Sequence, residues 1–132
     1  MADIFISHVE EDYSLVREIA PRVEKHGFTT WYYERDGVFS ISYLVQGGEA
    51  IDEARAFLLI ISPHSLASHQ VTTEVVRAHE HNKRFFPLLV DISHGEFQKR
   101  QPEWRAAVGA TASINMSDRG VDFACDALVR GL

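Results

Sequence analysis

The sequence predicts an α/β protein in which a five-stranded parallel sheet carries helices on both faces. Three observations point there. Short apolar runs alternate with amphipathic stretches along all 132 residues. One run, Phe57-Leu58-Leu59-Ile60-Ile61, has no polar alternation, as a strand buried on both faces requires. No repeat or low-complexity tract interrupts the pattern, so the chain reads as one domain over residues 1–132.

Ile4-Phe5-Ile6 is the first strand. Leu15, Ile19 and Val23 lie at helical spacing, with Gly27 as the C-cap and Pro21 as an expected kink or break. The aromatic, Thr-rich stretch from Phe28 to Tyr33 predicts a second strand. Glu34 to Ser42 shows no period and reads as a long loop. Leu44 to Ala54 is a helix weakened by Gly47-Gly48. After the buried third strand, Ser68 is the expected N-cap of a helix reaching His81. Phe85 to Val90 is a fourth strand, in which Pro87 implies a bulge or a less protected position. Pro102 to Val108 is a short helix, and Ala112 to Ile114 a weak fifth strand. Asp118 caps a last helix that buries Val121, Ala124, Cys125 and Leu128.

Strand–helix alternation of this kind predicts a three-layer, flavodoxin-like sandwich with strand order 2-1-3-4-5. Such sheets bind ligands beyond the carboxyl ends of the strands, at the switch point beside the first strand. Three segments meet there: the turn at Ser7-His8, the loop from Glu34 to Ser42, and the turn from Ser62 to Gln70.

Composition narrows the chemistry. The net charge is −6, and the basic residues are scattered, which argues against direct nucleic-acid binding. No apolar run reaches membrane-spanning length and no signal peptide is visible. A single cysteine forbids an intrachain disulfide and fits a cytoplasmic location. The chain lacks a phosphate-binding P-loop and a dinucleotide-binding glycine fingerprint. Ser62 stands where a phospho-acceptor domain would have its Asp. His79-Glu80-His81 splays its two rings around a helix, so no metal site is expected. His64, Ser65, Ser68 and His69 lack a nucleophile elbow, which argues against covalent serine catalysis.

Glu74 remains. It lies in the second turn of the helix that Ser68 caps, near the switch-point cleft, and Gln70 shares its face by i, i+4 spacing. On spacing alone it also reads as a solvated helix glutamate.

Four blocks resemble the TIR (Toll/interleukin-1 receptor) domain, over essentially the whole chain. They are Asp3-Ile4-Phe5-Ile6-Ser7-His8 with Glu10-Glu11-Asp12, Gly27 to Glu34, the Glu34–Ser42 stretch in place of the BB loop, and Ala56–Pro63 with Ser68 through Glu74. Many bacterial, plant and some animal TIR domains hydrolyse or cyclise NAD⁺, whereas many receptor TIR domains only assemble with one another. The resemblance to the NAD-consuming branch implies that Glu74 is the essential acid, contacting the hydroxyls of the nicotinamide ribose. Around it, Ser7, His8, Ser62 and Gln70 are expected to bind substrate. Tyr33 or Trp31 would stack on a ligand ring, and Phe39 would face the ligand or another protein. The resemblance further implies that Ile41 and Tyr43 contact a neighbouring TIR domain. It implies NAD⁺ as substrate, no cofactor, and self-association in immune or antiphage signalling, with the chain either served by a partner or belonging to a longer protein with a sensor. A non-catalytic TIR–TIR scaffold is the alternative. Two positions depart from the family pattern. Gln70-Val71 replaces the usual Trp-Cys, which removes an aromatic wall, and the second strand ends in Tyr33-Glu34 rather than Asp.

Overall fold

The computed structural model describes residues 2–132. Five parallel strands form one sheet in the order β2-β1-β3-β4-β5, with β1 at Ile4–Ser7, β2 at Thr30–Trp31, β3 at Ala56–Ile61, β4 at Arg84–Leu89 and β5 at Ile114–Asn115. The helices are α1 (Tyr13–Glu24), α2 (Tyr33–Asp36), α3 (Tyr43–Glu53), α4 (His69–Glu80), α5 (His94–Arg100), α6 (Pro102–Val108) and α7 (Met116–Gly131).

The two-residue period of β3 explains its wholly apolar sequence. Phe57, Leu59 and Ile61 pack with Ile51 of α3, Val71 and Val75 of α4 and Trp104 of α6. Ala56, Leu58 and Ile60 point the other way, against Val16 and Ile19 of α1 and Ala124 and Leu128 of α7. Both faces are covered, so no position along β3 can be polar.

The predicted order is the observed one; four local features differ, and at Pro87 the structure takes the second of the two predicted alternatives, a less protected position. β2 is only two residues long. After pairing Ile4↔Thr30 and Phe5↔Trp31, the chain turns into α2. The Asp36 carboxylate accepts from the Tyr32 backbone N–H at 3.0 Å, and Gly37 N–H closes onto Tyr33 O at 2.9 Å. Tyr33 therefore opens a helical turn instead of ending a strand. Secondly, α1 runs through Pro21 unbroken, because Pro21 sits near its end, where the missing N–H removes a single bond. The β3–β4 register passes through Leu59↔Pro87 without a bulge. β5 pairs only with Leu88 and Leu89, so Pro87 lies where β4 is still an edge. Thirdly, Asn115 rather than Asp118 caps α7, accepting from Ser117 N–H, and α7 breaks at Gly120, whose φ is 83°. Finally, α5 was not anticipated. Ser93 caps it by accepting from Glu96 N–H, and Phe97 anchors it in the core.

Ser68 does cap α4, accepting from Val71 N–H at 3.1 Å. We expect Ser68→Ala to lower stability by about 1 kcal/mol. A urea titration checks this, and an unchanged midpoint would contradict the capping role.

Candidate functional site

Beyond the carboxyl ends of β1 and β3, the turn after β1, the start of α2 and the start of α4 enclose a cleft of about 390 Å³. Its walls are His8, Val9, Glu10, Glu11, Tyr33, Glu34, Ser68 and Gln70. Glu74 lies behind Gln70, one helical turn deeper, and is only 5% exposed.

Each element contributes to holding that carboxylate. Ser7, the last residue of β1, donates its hydroxyl to Glu74 Oε1 at 2.6 Å. Gln70 donates from Nε2 to Oε2 at 3.3 Å, as the i, i+4 spacing predicts. The Tyr33 hydroxyl donates to the Tyr43 carbonyl at 3.0 Å and also stands beside Glu74. Burial raises the pKa of Glu74, while Ser7, Tyr33 and Gln70 pull it back towards the ordinary range. Burial, and then the adjacent Glu74 charge, push the Tyr33 phenol far up, so it stays protonated as a donor. A buried, hydrogen-bonded carboxylate one helical turn behind a cleft lining is, when ionised, a fixed negative charge, suited to stabilising positive charge that develops on a substrate.

Space for Tyr33 comes from α3. A Cβ at Gly47 would lie 1.8 Å from the Tyr33 hydroxyl oxygen, so the glycine that weakens α3 as a helix is what admits the ring. The Tyr33 ring sits edge-on to Trp31 at 4.7 Å. Trp31 itself stacks on Phe5 at 5.3 Å, and Phe5 on Phe57 at 5.7 Å. Trp31 thus belongs to a core stack.

His8 faces acceptors on both sides. Its Nδ1 is 3.2 Å from the Ile6 carbonyl, and its Nε2 is 2.9 Å from each oxygen of Glu34. The pair links the β1 turn to α2 across the cleft floor.

The structure brings Ser7, His8, Tyr33, Gln70 and Glu74 together. Two anticipated residues stand apart from them. The buried Ser62 hydroxyl donates to Asp12 at 2.6 Å and accepts from Ser65 N–H at 3.1 Å, so it ties the β1 and β3 turns together outside the cleft lining. Phe39 is 96% exposed and also lies outside the lining. With Val38, Ile41, Tyr43, Leu44 and Val45 it forms an exposed apolar surface. Gln46 braces that loop, accepting from Val38 N–H at 2.7 Å and donating to Ile41 O at 3.2 Å. Sequence reasoning brought the Glu34–Ser42 loop to the cleft without singling out Glu34, and it missed Glu10 and Glu11. They carry no spacing signal, and only the short β2 and the α2 turn aim Glu34 at His8.

A separate apolar crevice under α7, lined by Ile19, Leu58, Leu88 and Leu128, holds only the Cys125 thiol, which burial pushes up to about 11. Among the described residues no cluster of His, Cys, Asp and Glu could hold a metal ion, and no helix is long and apolar enough to cross a membrane.

Comparison with known structures places the chain beside several receptors. It is 25% identical to a metazoan TIR-STING receptor from C. gigas solved in complex with 2′,3′-cGAMP, with a TM-score of 0.75. A second structure of a C. gigas TIR-STING receptor gives 27% identity and a TM-score of 0.71. In these comparisons the chain is covered over 98% and 97% of its length and spans only 40% of the receptor. The TIR domain of the Toll-related receptor TRR-2 from Hydra magnipapillata shares the fold at a TM-score of 0.76 and 14% identity, covering 99% of this chain and 98% of that one. A comparison with curated protein sequences returns no match. The sequence profile of the TIR domain matches residues 4–129, nearly the whole chain and all five strands, and the chain belongs to the TIR domain family.

Proposed function

We propose that this TIR domain cleaves the nicotinamide–ribose bond of NAD⁺, in a cytoplasmic setting, as an immune or antiphage signalling enzyme activated by TIR–TIR assembly. The observation that carries the reading is Glu74, a carboxylate buried one helical turn behind Gln70 of the switch-point cleft lining and oriented by Ser7 and Gln70. The bond between C1′ and the pyridinium nitrogen breaks with its electron pair going to nitrogen, so nicotinamide leaves neutral and needs no general acid. Positive charge builds on the ribose, and the fixed Glu74 carboxylate stabilises it. Water then attacks C1′ and gives up a proton to solvent, yielding ADP-ribose; attack by a nitrogen of the substrate's own adenine yields a cyclic isomer. Ser7 and Gln70 keep Glu74 aimed, and Tyr33 limits the space beside it. No cofactor takes part in this scheme, and NAD⁺ is the substrate.

Assembly rests on the exposed apolar surface at Ile41 and Tyr43. Replacing both with Ser is expected to weaken self-association by roughly 30-fold or more while leaving the melting temperature unchanged, since both side chains are half exposed. Light scattering and nicotinamide release, read on the same samples, check it; full turnover by dilute monomer would contradict the gating. The function itself is tested with concentrated protein, on beads or with a crowding agent, incubated with NAD⁺. Nicotinamide release is expected. Self-association without release would favour the scaffold reading, which the apolar surface alone also suits.

A further inference from the structure

Tyr33 stands between the candidate site and the exposed apolar surface. It opens α2, and its ring reaches α3 in the space left by Gly47. At its tip one hydroxyl proton faces two acceptors. The Tyr43 carbonyl is 3.0 Å away, and the Glu74 carboxylate stands beside the same hydroxyl as a second partner. Tyr43 is the first residue of α3, and it follows the loop that exposes Val38, Phe39 and Ile41. Ser42, at the N-cap of α3, makes no side-chain capping bond. Tyr33 and Gln46 supply side-chain ties to this segment instead, Gln46 by reaching back to Val38 and Ile41.

A hydroxyl carries one hydrogen and rotates to suit its acceptor, so it cannot serve both partners at once. A bond to an ionised carboxylate is roughly twice as strong as one to a neutral carbonyl. We propose that Tyr33 is a positioning residue that couples Glu74 to the assembly surface, giving its single proton to the Glu74 carboxylate when that group is ionised and to the Tyr43 carbonyl when it is not. Ionisation thereby unfastens the start of α3. A neighbouring copy that draws Ile41 and Tyr43 into contact leaves Tyr33 to Glu74, so ionisation and assembly favour each other, as linkage requires. The proton that Glu74 loses goes to solvent, and Tyr33 keeps its own. This coupling rests on the cleavage reading above and describes the regulation of that same site.

The sign follows from which form assembly favours. Association should strengthen as pH rises through the folded value of Glu74, which burial holds above the ordinary carboxylate range. One hydrogen bond of ordinary net strength sets the size at about fivefold in the association constant. Glu74 is faced by Ser7 from β1, His8 from the turn after it, Tyr33 from α2 and Gln70 from α4. Tyr33 stays protonated, so His8 is the other titratable group, and its Nε2 faces Glu34 at 2.9 Å.

The test is light scattering of wild-type, Tyr33→Phe and Glu74→Gln protein from the ordinary carboxylate range up to neutral pH, beside nicotinamide release from NAD⁺ under forced assembly. Tyr33→Phe keeps the ring against Trp31 and Phe5, and Glu74→Gln reads the same step without touching the ring. Both variants retain His8 and every exposed histidine, so the slope those groups produce is common to all three proteins. The wild type is expected to gain about fivefold in association across the step, and both variants to lose that gain. Tyr33→Phe also removes a donor from the carboxylate, so its acid limb of nicotinamide release should move to higher pH. The same step in Tyr33→Phe, or a wild type with no step beyond that of Glu74→Gln, overturns the coupling. Absence of self-association at every pH also overturns it. A step lost in both variants, with no nicotinamide released by the wild type, sustains the coupling and sinks the cleavage reading. Release from NAD⁺ with association that has no such step sinks the coupling and sustains cleavage.

Discussion

Glu74→Gln is expected to melt at a higher temperature than the wild type at neutral pH while losing at least about 100-fold in activity, the scale on which a fixed electrostatic group supports a transition state. The reason is burial. Glu74 is 5% exposed, and its carboxyl holds a proton more tightly in the folded protein than in the unfolded chain. A group with a raised folded pKa contributes its stability fully below the unfolded carboxylate range, and that contribution is lost as pH rises through the folded value. Above its raised folded value the wild type therefore carries a buried charge that the amide does not. The Gln side chain keeps an acceptor for the Ser7 hydroxyl, so the site does not collapse. The melting advantage should disappear as pH is lowered below the ordinary carboxylate range. The same shift sets the acid limb of the wild-type activity profile, which should lie above that range because cleavage needs the ionised form. Thermal melts of both proteins across pH check the stability half. A variant that melts lower at neutral pH would show that Glu74 is a structural anchor rather than a group held under strain for chemistry.

Gly47→Ala is the second large effect, and its sign separates two physical accounts. Helix propensity alone predicts that alanine stabilises α3 by about 1 kcal/mol. Packing predicts the opposite. The new Cβ would lie 1.8 Å from the Tyr33 hydroxyl oxygen and 2.9 Å from its ring carbon Cζ. The ring cannot yield freely, because it is wedged edge-on against Trp31 and Phe5. Overpacking of this kind costs about 1–3 kcal/mol, and we expect net destabilisation in that range with at least about a tenfold loss of activity as Tyr33 leaves Glu74. Tyr33→Phe in the same chain removes the closest contact and should recover part of the loss, so the two changes are non-additive. A more stable Gly47→Ala protein would mean that α3 can slide and that Tyr33 is not held as described.

These two residues show how far the sequence could be read. Strand order, both helical layers and the Ser68 cap followed from periodicity and from local hydrogen-bond chemistry. Glu74 and Gln70 were placed on one helix face by spacing, and the resemblance to TIR domains singled out the glutamate. Its burial was not legible. A helix glutamate at that spacing is ordinarily solvated, and the hydroxyls of Ser7, 67 residues earlier, and of Tyr33 join the Gln70 amide in making the buried position tenable. Gly47 was read as a defect in α3 because its partner is a ring 14 positions upstream, whose location depends on β2 ending early. The end of β2 could not be read from propensity, since Phe28 to Tyr33 is uniformly strand-like. The Asp36 carboxylate and the Arg35 side chain, both reaching backwards, terminate it. The α5 helix was hidden by Gly95, although Ser93 and Glu96 stood at capping distance.

The most direct test of the account is nicotinamide release from NAD⁺ by wild-type protein and Glu74→Gln side by side, both assembled on beads at equal loading. The account predicts steady release from the wild type and a rate at least about 100-fold lower from the variant. Equal release from both would remove Glu74 from the chemistry, and silence from both, with assembly confirmed on the same beads, would contradict the enzyme.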